Sequence, residues 1–340
     1  MRFSLRLNND LRVEEYVALA REAEAAGFDQ LWVSHDLFLR SAPVLVARML
    51  EETESLHVGI GILNPYTQHP GEIAMLASTF DEAYDGRFLL GIAAGARDFL
   101  SWVGLEQRKP LGTVREAVAT VRALQAGERS PEGELFHGDE RAYLRFPAPR
   151  RTPIYVGAMG PKMLELTGEV ADGALPLLFP PELYTDVRRL IETGGARRDE
   201  SLPPIDLAAC FWVSIDDDAA AARHCLALKI AYYGHALGPL ILDRLGLEAS
   251  DFDEIRRIAH DEDDLERAAG LVDDRMLAMG VAGTPESFCE RLRPLVAAGA
   301  RHLSFGPPLG PDPIAAVRRM GGGVVDVLKS EFSAEAGGDP

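Results

Sequence analysis

Eight times along this chain a short apolar run is followed by a segment of helical period, and that alternation constrains the fold more than any other feature. The runs are Arg2–Leu7, Gln30–Ser34, Leu56–Leu63, Arg87–Ala93, Pro153–Gly157, Asp172–Leu178, Ile205–Ile215 and Arg301–Gly306. Strands separated by helices must pair in parallel, and eight such units close into an α/β fold, the (β/α)8 TIM barrel. The rival, a doubly wound open sheet, lacks support because no GxGxxG follows the first strand. A barrel of this kind needs roughly 250 residues, whereas the chain has 340. The surplus falls between strands seven and eight, at about residues 235–280, and reads as a helical insertion. Residues 1–330 therefore form a single barrel domain, with a last helix over Pro313–Leu328 and a flexible C-terminal tail at 331–340.

Charge narrows the function classes. The formal net charge is −18 and the pI about 4.9, which argues against nucleic acid and anionic membrane surfaces as partners, since both are bound through Lys and Arg patches. The three cysteines, Cys210, Cys225 and Cys289, are widely spaced and form neither a disulfide framework nor a zinc ribbon. The first ten residues lack the apolar core of a signal peptide, and no apolar run approaches a membrane span. A cytoplasmic protein is expected. No metal is expected either: Asp261–Asp264 reads as a solvated helix start, and His224 and Cys225 are adjacent on a helix and point apart. GxSxG, HExxH and Walker motifs are absent.

In a parallel barrel the chemistry gathers where strands end. After strand two this places His35 and Asp36 at the mouth. A histidine there could move a proton or be held on a backbone group, and Asp36 could act with it or cap the next segment. After strand five, "VGAMGPKM" runs from a glycine-ended strand into a helix opening at Pro161. Free N–H groups at a helix start suit a phosphate; a tight turn needing glycine for geometry alone would look the same. Strand three, "GIGILNPYTQHP", carries Gly59 and Gly61 inside one short run, leaving the backbone bare close to its end.

Taken together, "AEAAGFDQLWVS", "GIGILNPYTQHPGEIAMLASTFDEAYDGRFLLGIAAG", "PIYVGAMGPKMLELTGEVADG" and "FGPPLGPDP" resemble the luciferase-like monooxygenase superfamily. Within it the chain is most similar to the deazaflavin-dependent branch typified by methylenetetrahydromethanopterin reductase. The resemblance implies a homodimeric barrel that passes a hydride between a deazaflavin coenzyme of the F420 type and a small organic substrate, such as a pterin- or folate-like one-carbon carrier. It implies a bulge with a non-prolyl cis peptide at Gly61-Ile62, followed by Leu63 and Asn64, against the back of the cofactor ring. Gly95 belongs to the loop flanking that ring, and Gly157, Ala158, Met159, Gly160 and Pro161 receive the phosphate. Two departures stand out: the branch has an acidic residue in strand one where this chain has Arg6, and Asp-His after strand two where this chain reads Ser34-His35-Asp36. Alternatives left open are an FMN-dependent monooxygenase using reduced flavin and oxygen, and a non-catalytic flavin-binding barrel.

Overall fold

The computed structural model describes residues 1–176 and 179–336. Among these lie nine strands, all parallel to their neighbours: β1 (Arg2–Leu7), β2 (Gln30–Val33), β3 (His57–Leu63), β4 (Phe88–Ile92), β5 (Ile154–Ala158), β6 (Gly173–Pro176), β7 (Asp206–Ile215), β8 (Gly280–Gly283) and β9 (His302–Leu309). Strands β1 to β7 follow one another around the ring, and β9 closes it between β7 and β1. The expected eight-stranded barrel is therefore present. The additional strand, β8, pairs with the C-terminal half of β7 from Trp212 to Ile215, while β6 pairs with its first residues, Asp206 and Leu207. A four-residue run with glycine at both ends has no periodicity to read, which is why the sequence pattern does not announce it.

Strand alternation divides the core in two. Phe3, Leu5 and Leu7 point outward from β1 into the layer between sheet and helices, with Leu31, Val33, Val58, Ile60, Leu90 and Ile92. Inside the barrel, Trp32, Leu89, Tyr155, Leu175, Ala208 and Cys210 pack together. Below them is a polar floor. His302 bridges Asp206 at 3.0 Å and Ser4 at 2.8 Å, the Tyr155 hydroxyl donates to Asp206 at 2.6 Å, and Arg2 pairs with the same carboxylate. Burial alone would raise the Asp206 carboxyl, but His302, Tyr155 and Arg2 drive it well below the usual carboxylate range.

Trp32 explains the bare strand. Its indole N–H donates downward to Gln30 at 3.0 Å, and its ring lies where a Cβ on Gly59 would come within 2.5 Å. Gly59 is thus required by packing inside the barrel, one layer beneath the mouth.

The insertion folds as short helices over a satellite core that includes Phe252, Ile255, Ile258 and Met276. It packs against Trp212 and the long helix Ala219–Tyr233. Asp218 caps that helix, accepting from the backbone N–H of Ala220 at 2.9 Å, as the aspartate cluster suggests. The last helix runs on to Ala336, beyond its expected end. Residues 337–340 of the expected tail lie outside the described residues, as do 177 and 178 of the sixth expected strand. Of the described residues, no helix is long and apolar enough to cross a membrane.

Candidate active site

A cavity of about 530 Å³ opens at the C-terminal ends of the strands. One wall is the end of β3. Ile60 pairs with Leu90 and Leu63 with Ile92, so β3 carries an extra residue there, and the Gly61-Ile62 peptide within this bulge is cis. Neighbouring glycines make room for it. A Cβ on Gly91 would lie 2.4 Å from the Ile60 carbonyl oxygen, and one on Gly157 3.1 Å from Ile62. The result is a wall of Gly61, Ile62, Ala93 and Gly157 with few projecting atoms.

A second wall is the loop after β4. Gly95 adopts φ +71°, and a Cβ on it would meet the Asn64 amide at 2.1 Å. The Gln107 amide holds the loop by donating to the Gly95 carbonyl at 2.8 Å. At the rim, helix Pro161–Val170 begins after Gly160, which caps it with no side-chain acceptor. Gly160 has φ −92°, and a Cβ added there meets nothing within 4 Å. Geometry does not demand glycine at this position, so the turn is open rather than tight. Pro161 has no N–H, and the N–H groups of Met163 and Leu164 donate to the Gly160 carbonyl at 3.0 Å, so the positive end of the helix is what this turn brings beside the cavity.

The polar groups of the mouth come from β1, β2 and the helix Ala219–Tyr233. Asp36 lines the cavity; its carboxylate accepts from Ser34 Oγ at 3.0 Å, and its backbone is held by Asn9. Burial raises the Asp36 carboxyl, against the pull of Ser34, His35 and Arg6. Lys229 also lines the cavity, with its ammonium 4.1 Å from the Tyr233 ring centroid and 5.9 Å from that of Trp212. Burial pushes Lys229 down to about 8, against the attraction of Asp10 and Asp36. Arg6 completes the set from β1.

Of the residues expected at the site, the structure brings together Asp36, Gly61, Ile62, Gly95, Gly157, Ala158, Met159 and Gly160 around one cavity. Pro161 opens the helix at its rim. Leu63 is wholly buried behind the bulge, and Asn64 packs under Gly95 while its side-chain oxygen accepts from Tyr66 N–H at 2.9 Å. His35 is turned away from the cavity: its Nδ1 accepts the Ala42 backbone N–H at 3.2 Å, at the start of helix Ala42–Glu51. Burial lowers its pKa despite Asp36 beside it, so the ring stays neutral. Lys229 and Tyr233 carry no local signal in the sequence, beyond lysine being rare in it. Arg6 does: Arg2, Ser4 and Arg6 are polar at alternate positions of a strand that should have a buried face. Among the described residues no group of three or more His, Cys, Asp or Glu is placed to hold a metal ion.

Comparison with known proteins agrees with this architecture. The luciferase-like monooxygenase family matches residues 1–302. The 5,10-methylenetetrahydromethanopterin reductase of Archaeoglobus fulgidus is 30% identical over 334 residues, covering 97% of this chain and all of that protein. The F420-dependent glucose-6-phosphate dehydrogenase of Nakamurella multipartita is 32% identical over 314 residues, 86% of each chain. The solved structure of the coenzyme F420 dependent tetrahydromethanopterin reductase from Methanopyrus kandleri superimposes with a TM-score of 0.89 at 26% identity, covering 96% of this chain and 99% of that one.

Proposed function

The chain belongs to the luciferase-like monooxygenase family, and from that premise we propose that it exchanges a hydride between coenzyme F420 and a pterin- or folate-like one-carbon carrier. It is an oxidoreductase, and coenzyme F420 is its cofactor. The observation that carries the reading is the pairing of a smooth bulged wall at Gly61-Ile62 with an open helix start at Gly160, around one cavity.

The residues present fit such a coenzyme. A flat ring has a backing in Ile62 between Gly61 and Gly157, the two glycines keeping the wall beside it low, and Gly95 flanks it. Ala158, Met159, Gly160 and Pro161 lead to the helix N–H groups that suit a phosphate. When bound, the coenzyme supplies a two-electron hydride carrier. The chain's own part is to orient the acceptor over that wall and keep water out with Phe99, Phe211, Trp212 and Tyr233. Asp36, whose raised pKa lets it keep a proton closer to neutrality, holds the proton that accompanies reduction, with Ser34 aiming its carboxyl. His35 fixes this segment onto the next helix; the proton role passes to Asp36. The same reading carries a homodimer acting in the cytoplasm on a small molecule, with no nucleic-acid partner, as the strong negative charge supports.

Titration of the purified protein with coenzyme F420 and with FMN, followed by fluorescence quenching, tests the reading. Saturable F420 binding with weak or no FMN binding is expected. Tight binding of FMN without any response to F420 overturns it.

A further inference from the structure

Arg6 is the most unusual residue of the mouth. Only 8% of its surface is exposed, yet it lines the cavity. Its Nη1 is buried without a hydrogen-bond partner, and among the described residues the guanidinium makes no hydrogen bond or ion pair. A buried cation left unpaired opposes folding strongly, and buried polar groups are almost always satisfied. The neighbouring Asp36 carboxyl attracts Arg6 through space but makes no hydrogen bond or ion pair with it, its Oδ2 accepting instead from Ser34 Oγ at 3.0 Å. Lys229 is no counter-ion either, being a cation seated over Tyr233 and Trp212. The cavity thus holds two cations, Arg6 and Lys229, against one carboxylate, Asp36, in a protein of net charge −18.

We propose that Arg6 is the anion receptor of this cavity and that the organic hydride acceptor carries a carboxylate which pairs with it. A guanidinium presents its N–H groups in a plane and so matches the two oxygens of a carboxylate. Phosphate has its own seat at the helix start beyond Gly160. The inference rests on the hydride-transfer reading of the same cavity and names the class of acceptor: acidic molecules, with neutral analogues excluded because they leave Arg6 unpaired.

Calorimetric titration with benzoate and with its neutral counterpart benzamide, at constant ionic strength, tests it on both the free and the coenzyme F420-loaded protein. Benzoate is expected to bind roughly tenfold or more tightly than benzamide. In Arg6→Met, benzoate should fall to the benzamide level while the coenzyme's Kd stays within about threefold of wild type, the remaining spread of context effects. Arg6→Met should also melt at a higher temperature than wild type, since it replaces an unpaired buried charge by an apolar side chain of similar length. Equal binding of benzoate and benzamide overturns the proposal. So does a lower melting temperature in Arg6→Met, which would reveal a structural partner. If Arg6→Met instead loses the coenzyme and keeps benzoate, the anion Arg6 receives belongs to the coenzyme, and the acceptor assignment falls. A wild-type protein that binds benzoate through Arg6 but no F420 would overturn the cofactor reading alone.

Discussion

Gly160→Asp should weaken coenzyme binding without weakening the fold, and the structure separates the two effects. The backbone at Gly160 has φ −92° and ψ 155°, open to any L-residue, and a Cβ meets nothing within 4 Å. Aspartate is moreover a better helix N-cap than glycine by a few tenths of a kcal/mol, so the melting temperature should hold or rise slightly. Binding is another matter. A carboxylate about 5 Å from a phosphate held on the helix N–H groups repels it by about 1 kcal/mol in water-like surroundings and about 3 kcal/mol near a protein surface. That is roughly a 5- to 150-fold rise in Kd. Gly160→Ala, which adds the Cβ without the charge, should bind the coenzyme as wild type does. Fluorescence quenching titrations of the three proteins at about 0.1 M and about 1 M salt provide the assay, and the gap for Gly160→Asp should narrow at high salt as the screening length falls. If Gly160→Asp binds as tightly as Gly160→Ala, the phosphate lies elsewhere. Equal losses in both variants would mean that shape rather than charge governs this turn.

Three further outcomes follow from the same geometry. Asp206→Asn should lower stability at pH 7 by about 3–5 kcal/mol, because it strips the shared partner from Arg2, His302 and Tyr155 in the barrel floor. Since the folded pKa of Asp206 is depressed, its contribution is complete above the unfolded value near 4 and is lost as pH falls through the lower folded one. Urea midpoints of wild type and variant should therefore converge below about pH 4; a constant gap would count against this account. Lys229, one of four lysines, should give a single ¹³Cε resonance titrating near 8, absent in Lys229→Met. Its depressed pKa opposes folding at neutral pH, a cost relieved as pH rises from about 8 past the unfolded value near 10.4; four lysine signals all titrating near 10 would refute the burial argument. Gly91→Ala puts a Cβ 2.4 Å from the Ile60 carbonyl, so it should cost about 1–3 kcal/mol in urea unfolding and weaken F420 binding by moving the wall. Unaltered stability and binding would show that the wall yields.

Much of this protein could be read along the chain. Strand-helix alternation is local and repeats at every turn of the barrel, so the fold and the end of the barrel that carries the site follow from it. The helix start at Gly160 and Pro161 is likewise a local signal, as is the placement of Asp36 after β2. What the chain could not show is where side chains meet. Gly59 is glycine because Trp32, from another strand, fills the space above it, a contact no period encodes. His35 has the residue type and position of a proton carrier, but a backbone N–H on the next helix claims its ring. Lys229 enters the mouth from a helix late in the chain and is perturbed by burial that only folding creates. Arg6 could be seen in the sequence as a charge on an inward-facing strand position. Whether its Nη1 found a hydrogen-bond partner depended on every strand around the ring, and tertiary structure alone left it without one.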